Sequence, residues 1–153
     1  MKKVVSLSVL SLFMVACASH NTLEESADTI NEEPIHYLDL TLEETKGLLK
    51  EYWVEVSRKN PRYPMSAVSA RQSGCVNLII GINSDGRASG YRVIKSYPEG
   101  VFDNYAIAAL TEWQWVAADT NSDKTPVLTT IQLDFSMSES SNRKEAENQC
   151  RVG

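Results

Sequence analysis

Residues 74–86, GCVNLIIGINSDG, decide the fold. Val76, Leu78, Ile80 and Ile82 alternate with Asn77, Ile79, Gly81 and Asn83, the two-residue period of a strand with one well-buried face. Asn83-Ser84-Asp85-Gly86 predicts a hairpin turn, with Gly86 free to take positive φ. Arg87 to Tyr97 returns as a second strand, with Tyr91 and Val93 on one face.

Downstream, Pro98 and Gly100 break that strand, and the periodicity changes. Phe102, Ala106, Ala109, Leu110 and Trp113 share one face of a helix. Asp103 stands in its first turn, where the helix dipole favours a negative charge. Residues 117–126 read as a polar loop. Val127, Thr129, Ile131, Leu133, Phe135 and Met137 then alternate with outward positions, the clearest amphipathic strand in the chain. The order β-β-α-β predicts an α+β fold: a three-stranded antiparallel sheet with one main helix on a face.

Upstream, Pro61-Arg62-Tyr63-Pro64 leads into a short helical stretch from Ser66 to Gln72. Before it, Thr41-Leu42-Glu43-Glu44 has the pattern of a capping box. Leu42, Leu48, Leu49, Tyr52, Trp53 and Val56 follow at roughly helical spacing. The expectation is an additional N-terminal helix over 42–57, within a segment 41–60, packed on the main domain or offered to a partner. Residues 17–40 are polar and acidic, with Glu24, Glu25, Asp28, Glu32 and Glu33. Such a stretch buries too little surface to offset backbone ordering, so it reads as a flexible tether. From Cys17 to Asp39 it reaches at most about 80 Å.

Residues 1–16 read as an export signal: Lys2 and Lys3, then an apolar run from Val4 to Ala16. Thirteen helical residues span about 20 Å, too short for a hydrocarbon core of about 30 Å. Met14-Val15-Ala16-Cys17 resembles a lipobox, which would make Cys17 a lipidated N-terminus. Ala16-Cys17-Ala18 instead offers an A-x-A site for ordinary cleavage after Ala18. Ala18 and Ser19, with no Asp after the cysteine, resemble lipoproteins sorted to the outer membrane. The expected location is the periplasmic side of the outer membrane, lipid-anchored, or the soluble periplasm under the second cut.

Under either cut Cys17 is acylated or removed, which leaves Cys75 and Cys150 of the three cysteines with thiols still available. In an exported chain these are expected to pair, tying down the tail 138–153; two free thiols or an intermolecular bridge are the alternatives. Closing that loop would stabilise the domain by roughly 4 kcal/mol in the chain-entropy model. Removing residues 1–16 takes Lys2 and Lys3 with them and moves the formal charge from −5 to −7. There is no basic patch for nucleic acid, and an acidic exported domain fits protein or cell-wall partners better.

Catalytic constellations are hard to assemble. The only histidines, His20 and His36, both lie in the tether, which argues against a catalytic triad or a His-based zinc site. Asp119-x-Asn121-x-Asp123 imitates the start of a calcium loop, but Lys124 stands where Gly is required and Thr130 where the bidentate Glu belongs. Asp85 is explained by its turn. Trp113 belongs to the apolar helix face, while Trp115 is either core or a binding platform. The expectation is a binding protein without catalytic residue, metal or cofactor.

Several of these pieces, taken in order, resemble the TonB C-terminal domain family: PRYPMSA (61–67), GCVNLIIGINSDG (74–86), the second strand ending at Val93 and Ser96, FDNYAIAALTEWQWVAA (102–118) and TPV…F (125–135). The resemblance covers 61–137, about half of the chain. Val116-Ala117-Ala118 lacks the Pro often found after the family's helix, and Lys124-Thr125 replaces the usual Gly before Pro126. Energy-transducing members have an uncleaved membrane helix and a long Pro-rich spacer, and between residues 18 and 60 the only proline is Pro34. The resemblance therefore implies the binding fold without the motor. An energy transducer would require Val4 to Ala16 to remain as an anchor.

In the family, a sheet edge takes an extended segment of an outer-membrane receptor as an added strand. That edge corresponds here to the last strand, roughly 127–137, with Leu128, Thr130, Gln132 and Asp134 directed away from the helix-covered face. By the same analogy this strand lies antiparallel beside the first, so Met137 ends near Cys75. Residues 138–149 could then loop back to bring Cys150 to Cys75, bracing the sheet or masking part of its edge. The implied partner is an envelope protein, such as a segment of a TonB-dependent receptor. The alternative is a structural or assembly lipoprotein with that edge closed by the tail or by a second copy in a homodimer.

Overall fold

The computed structural model describes residues 34–151. The expected export signal, Cys17, His20 and the tether as far as residue 33 lie outside the described residues. The elements in chain order are β1 (Leu38–Asp39), a 3-10 turn (Lys46–Leu48), α1 (Leu49–Tyr52), β2 (Trp53–Ser57), α2 (Met65–Ser69), β3 (Gly74–Ile82), β4 (Ala88–Tyr97), α3 (Asp103–Leu110), β5 (Gln114–Ala117), β6 (Val127–Phe135) and α4 (Arg143–Gln149).

The alternation that marked 74–82 places Val76, Leu78, Ile80 and Ile82 at no more than 1 % exposure. Strand β3 is the central strand, with β4 antiparallel on one side and β6 antiparallel on the other. Phe102, Ala106, Ala109 and Leu110 of the α3 segment close over the same face, and all four are buried. Fully burying a Phe or Leu side chain such as Phe102 or Leu110 stabilises by about 1.5–3 kcal/mol. The face is finished by an aromatic cluster, in which Phe102 stacks on Phe135 at 4.3 Å and Tyr63 meets both rings edge-on.

The fold is mixed α+β, but the sheet has four strands rather than the three expected, in the order β1-β6-β3-β4. The added strand comes from the segment read as tether. Leu38 and Asp39 pair parallel with Val127 and Leu128, and Leu40 is buried in the core at 2 % exposure. Tyr37-Leu38-Asp39-Leu40 is a short alternating run, too short to stand out beside the acidic residues before it. Residues 38–40 therefore belong to the folded domain and not to the expected tether.

The helix expected over 42–57 is also corrected. Only Leu49–Tyr52 is α-helical, and Trp53–Ser57 is a strand paired antiparallel with Gln114–Ala117 in a second, two-stranded sheet. Trp53, Val54 and Val56 are aromatic or β-branched and suit a strand once a partner exists. That partner lies some sixty residues downstream, where no local period can reveal it. Nor does Thr41 cap a helix: its hydroxyl and its N–H both donate to the Asp39 carboxylate, at 2.7 and 2.9 Å. Those two bonds, the side-chain one first, hold the Asp39 carboxyl below its ordinary range.

The hairpin turn joins the two sheets. Gly86 has φ of +70°, and a Cβ there would lie 2.0 Å from the Trp115 carbonyl oxygen. The Trp115 N–H donates to the Gly86 oxygen at 2.9 Å. Trp115, left open between core and platform, is core at 4 % exposure, tilted against Trp113 at 5.8 Å.

Candidate functional site

Strand β6 meets β3 through nine consecutive pairs, from Gly74 with Phe135 to Ile82 with Val127, with no break in register. On its other side it is joined only by β1, over two residues. The Leu40 N–H donates to the Leu128 carbonyl at 2.9 Å, so the backbone groups of Leu128 face away from β3. By the two-residue alternation of a strand, those of Thr130, Gln132 and Asp134 face the same way. Among the described residues no strand lies beside Thr130–Asp134 on that side. Of the expected edge, the first part is taken by the chain's own β1 and α1 also approaches β6, while along Thr130–Asp134, about 17 Å at roughly 3.3 Å per residue, no strand is added among the described residues.

The four outward residues share the face opposite α3 but not the same surroundings. Leu128 and Thr130 are half-buried, Gln132 is half-buried and Asp134 is exposed. Gln132 Nε2 donates to Asp134 Oδ1 at 2.8 Å and to the Cys150 carbonyl at 2.9 Å. The tail is thereby brought onto this face, where Cys75 and Cys150 form a disulfide with Cα atoms 5.7 Å apart. Asn142 fixes the tail further: its amide exchanges two bonds with the Ser73 backbone, at 2.8 and 2.9 Å. Ser141 N–H donates to the Arg71 carbonyl at 2.7 Å. The tail covers the outer face near Gln132 and adds no strand to the edge.

The opposite edge of the sheet is β4, and it is irregular. Asn77 pairs with Lys95 but Leu78 with Val93, which leaves Ile94 as an extra residue. A second extra residue falls at Ser89-Gly90, where Gly90 has φ of +76°. Bulges bend and twist a strand and spoil its edge as a template. Between the bulges Tyr91 pairs with Ile80 and Val93 with Leu78, so the two share one face as expected, and Tyr91 is 58 % exposed on it.

Beside the open half of β6 runs a groove of about 480 Å³, whose far wall is the 3-10 turn, α1 and β2 and whose floor carries Trp113 and Trp115. Sequence reasoning missed this wall because it treated residues 42–57 as one helix. The calcium-like segment has a structural role instead: Asn121 is buried, donates to the Tyr52 carbonyl and accepts from the Thr125 N–H, both at 2.9 Å. No group of three or more His, Cys, Asp or Glu that could hold a metal occurs among the described residues.

Three antiparallel strands, a helix across one face and one straight, half-open edge define a small mixed α+β domain built around a sheet edge. A sequence model of the family described as Gram-negative bacterial TonB protein C-terminal matches residues 59–137, and the chain belongs to that family. Two curated relatives, each named Protein TonB, from two strains of Xanthomonas campestris pv. campestris, are 29 % identical over 87 residues, 55 % of this chain. The match spans 39 % of their length. The solution NMR structure of the Pseudomonas aeruginosa TonB C-terminal domain shares the fold, with a TM-score of 0.54 and 21 % identity, over 68 % of this chain and 97 % of that one.

Proposed function

We propose that this chain is a non-catalytic envelope protein that holds a partner by adding an extended segment of it to the Thr130–Asp134 edge of β6. The observation that carries the reading is the contrast in register: a straight, unbulged edge is left open, while the other edge is bulged. Main-chain hydrogen bonds along the open edge supply affinity, and alternate side chains of the incoming strand supply selectivity. Membership of the TonB C-terminal family favours a receptor segment of TonB-dependent transport as the partner. The lipobox-like Met14 to Cys17 favours a lipid anchor at Cys17, which places the edge on the periplasmic side of the outer membrane.

The test is a photo-crosslinking residue at Thr130, in the native envelope. Thr130 is preferred to Gln132, whose amide is engaged by Cys150 and Asp134. Capture of an extended segment of an outer-membrane receptor supports the proposal. Capture of a second copy alone, or of nothing, replaces it with the structural or assembly reading, which the self-pairing of β1 on Val127 and Leu128 favours. Recovery of a chain that still carries Val4 to Ala16 would reopen the energy-transducer reading.

A further inference from the structure

The groove beside the open edge differs in charge from the chain that contains it. The whole chain carries a formal charge of −5, yet the groove is lined by Lys46, Lys50 and Arg58 against a single carboxylate, Glu55. Lys46 pairs with Glu43 in an exposed ion pair, a contact of little strength in water. Among the described residues, Lys50 and Arg58 have no carboxylate within salt-bridge distance. Arg58 is held in place by the Trp113 ring, with its guanidinium carbon 4.6 Å from the ring centroid. All three cations precede residue 59, so they lie outside the stretch shared with the family.

We infer that the segment added to the Thr130–Asp134 edge is acidic, an extended peptide of another protein with carboxylates at alternate positions on the side facing Lys50 and Arg58. The inference rests on the strand-addition reading above. An extended occupant is required because the open wall of the groove is a row of strand N–H and C=O groups. Its side chains alternate between the two faces of the sheet. Every second one therefore points toward the Ile131 side, where Trp113, Trp115 and Arg58 also lie. Carboxylates of that row reach the cationic wall. Charges placed this way select among extended segments that the main-chain ladder alone would accept equally, and they speed encounter.

The test uses the chain without residues 1–16 and three eight-residue fluorescent peptides: Val alternating with Glu, Val alternating with Thr, and Val alternating with Lys. Binding is read by anisotropy at 25 and 500 mM salt. The inference expects the Glu peptide to bind at least about tenfold more tightly than the Lys peptide at low salt, with the gap closing at high salt as charges are screened. A Lys50→Glu/Arg58→Glu variant, with both sites exposed, is expected to reverse the order. Circular dichroism confirms that it stays folded.

Equal binding of all three peptides overturns the inference and leaves strand addition standing. Binding of none overturns both. Binding that appears only after Glu24, Glu25, Asp28, Glu32 and Glu33 are changed to Ala also overturns it, by making the chain's own acidic stretch the occupant.

Discussion

Strands β4 and β6 flank the same central strand, and they are built to different rules. Strand β6 runs beside β3 for nine residues in unbroken register. Strand β4 runs beside it with extra residues at Ile94 and at Ser89-Gly90. On the outer face, Arg92 and Lys95 of β4 pair with Ile79 and Asn77, adding charge to an edge that is already twisted. Bulges and charge are what natural sheets use to keep an edge from pairing. Strand β6 has neither along Thr130–Phe135 except Asp134. The difference teaches where pairing is prevented and where it is permitted.

Even the permitted edge is rationed by the chain itself. Strand β1 covers its first two residues, and the disulfide-held tail sits over the adjoining face. Under the strand-addition proposal, a partner strand would start from Thr130 onward, with the wall of Lys46 to Arg58 as its other border.

The largest effect expected from breaking this arrangement is at the tail. Cys150→Ser should cost about 4 kcal/mol of stability in the chain-entropy model, read as a lower urea midpoint. A cost below about 1 kcal/mol would mean that the tail scarcely constrains the domain. The next largest separates the two strands. Leu133→Ala, at a buried β6 position, should cost about 3 kcal/mol, while Tyr91→Ala on the bulged strand should cost less than about 1 kcal/mol. Similar losses from the two would show that β4 carries as much of the core as β6.

A smaller effect concerns binding. Thr130→Pro removes one edge N–H that β3 does not use, and proline is tolerated on edge strands. It should weaken binding of the Val/Glu peptide about tenfold, or about 1.4 kcal/mol, while shifting the urea midpoint little. Undiminished peptide binding would place the partner elsewhere. The smallest effect is on β1. The Asp39 carboxyl is lowered in the folded chain by Thr41, so its contribution is present above the ordinary value of 3.8. It is lost as pH falls through the lowered folded value. Amides of residues 38–41 should then exchange faster while those of β3 do not.

What could be read from the residues was whatever repeats locally. The period of two over 75–82 and 127–135, and the helical face of Phe102, Ala106, Ala109 and Leu110, were legible because each element buries one face of its own. Gly86 was legible because only a turn explains Asn83-Ser84-Asp85-Gly86. Strand β2 was not, because Trp53, Val54 and Val56 continue a helical spacing begun by Leu48 and Leu49. The residues that make them a strand, Gln114 to Ala117, are distant in sequence. Strand β1 was lost for the same reason, since two residues of ladder leave no period to detect. The outward set Leu128, Thr130, Gln132 and Asp134 follows from strand alternation alone. Its division into a covered and an open half depends on β1, which the residues alone did not reveal.

The central claim is that a partner strand joins β6 and not β4. Amide hydrogen exchange by NMR, on the chain without residues 1–16 and with or without saturating Val/Glu peptide, tests it most directly. The account predicts that the amides of Thr130, Gln132 and Asp134 exchange readily in the free chain and become protected on binding, with the outward amides of β4 unchanged. New protection along Ala88–Tyr97, with Thr130 and Gln132 still exchanging, would contradict it.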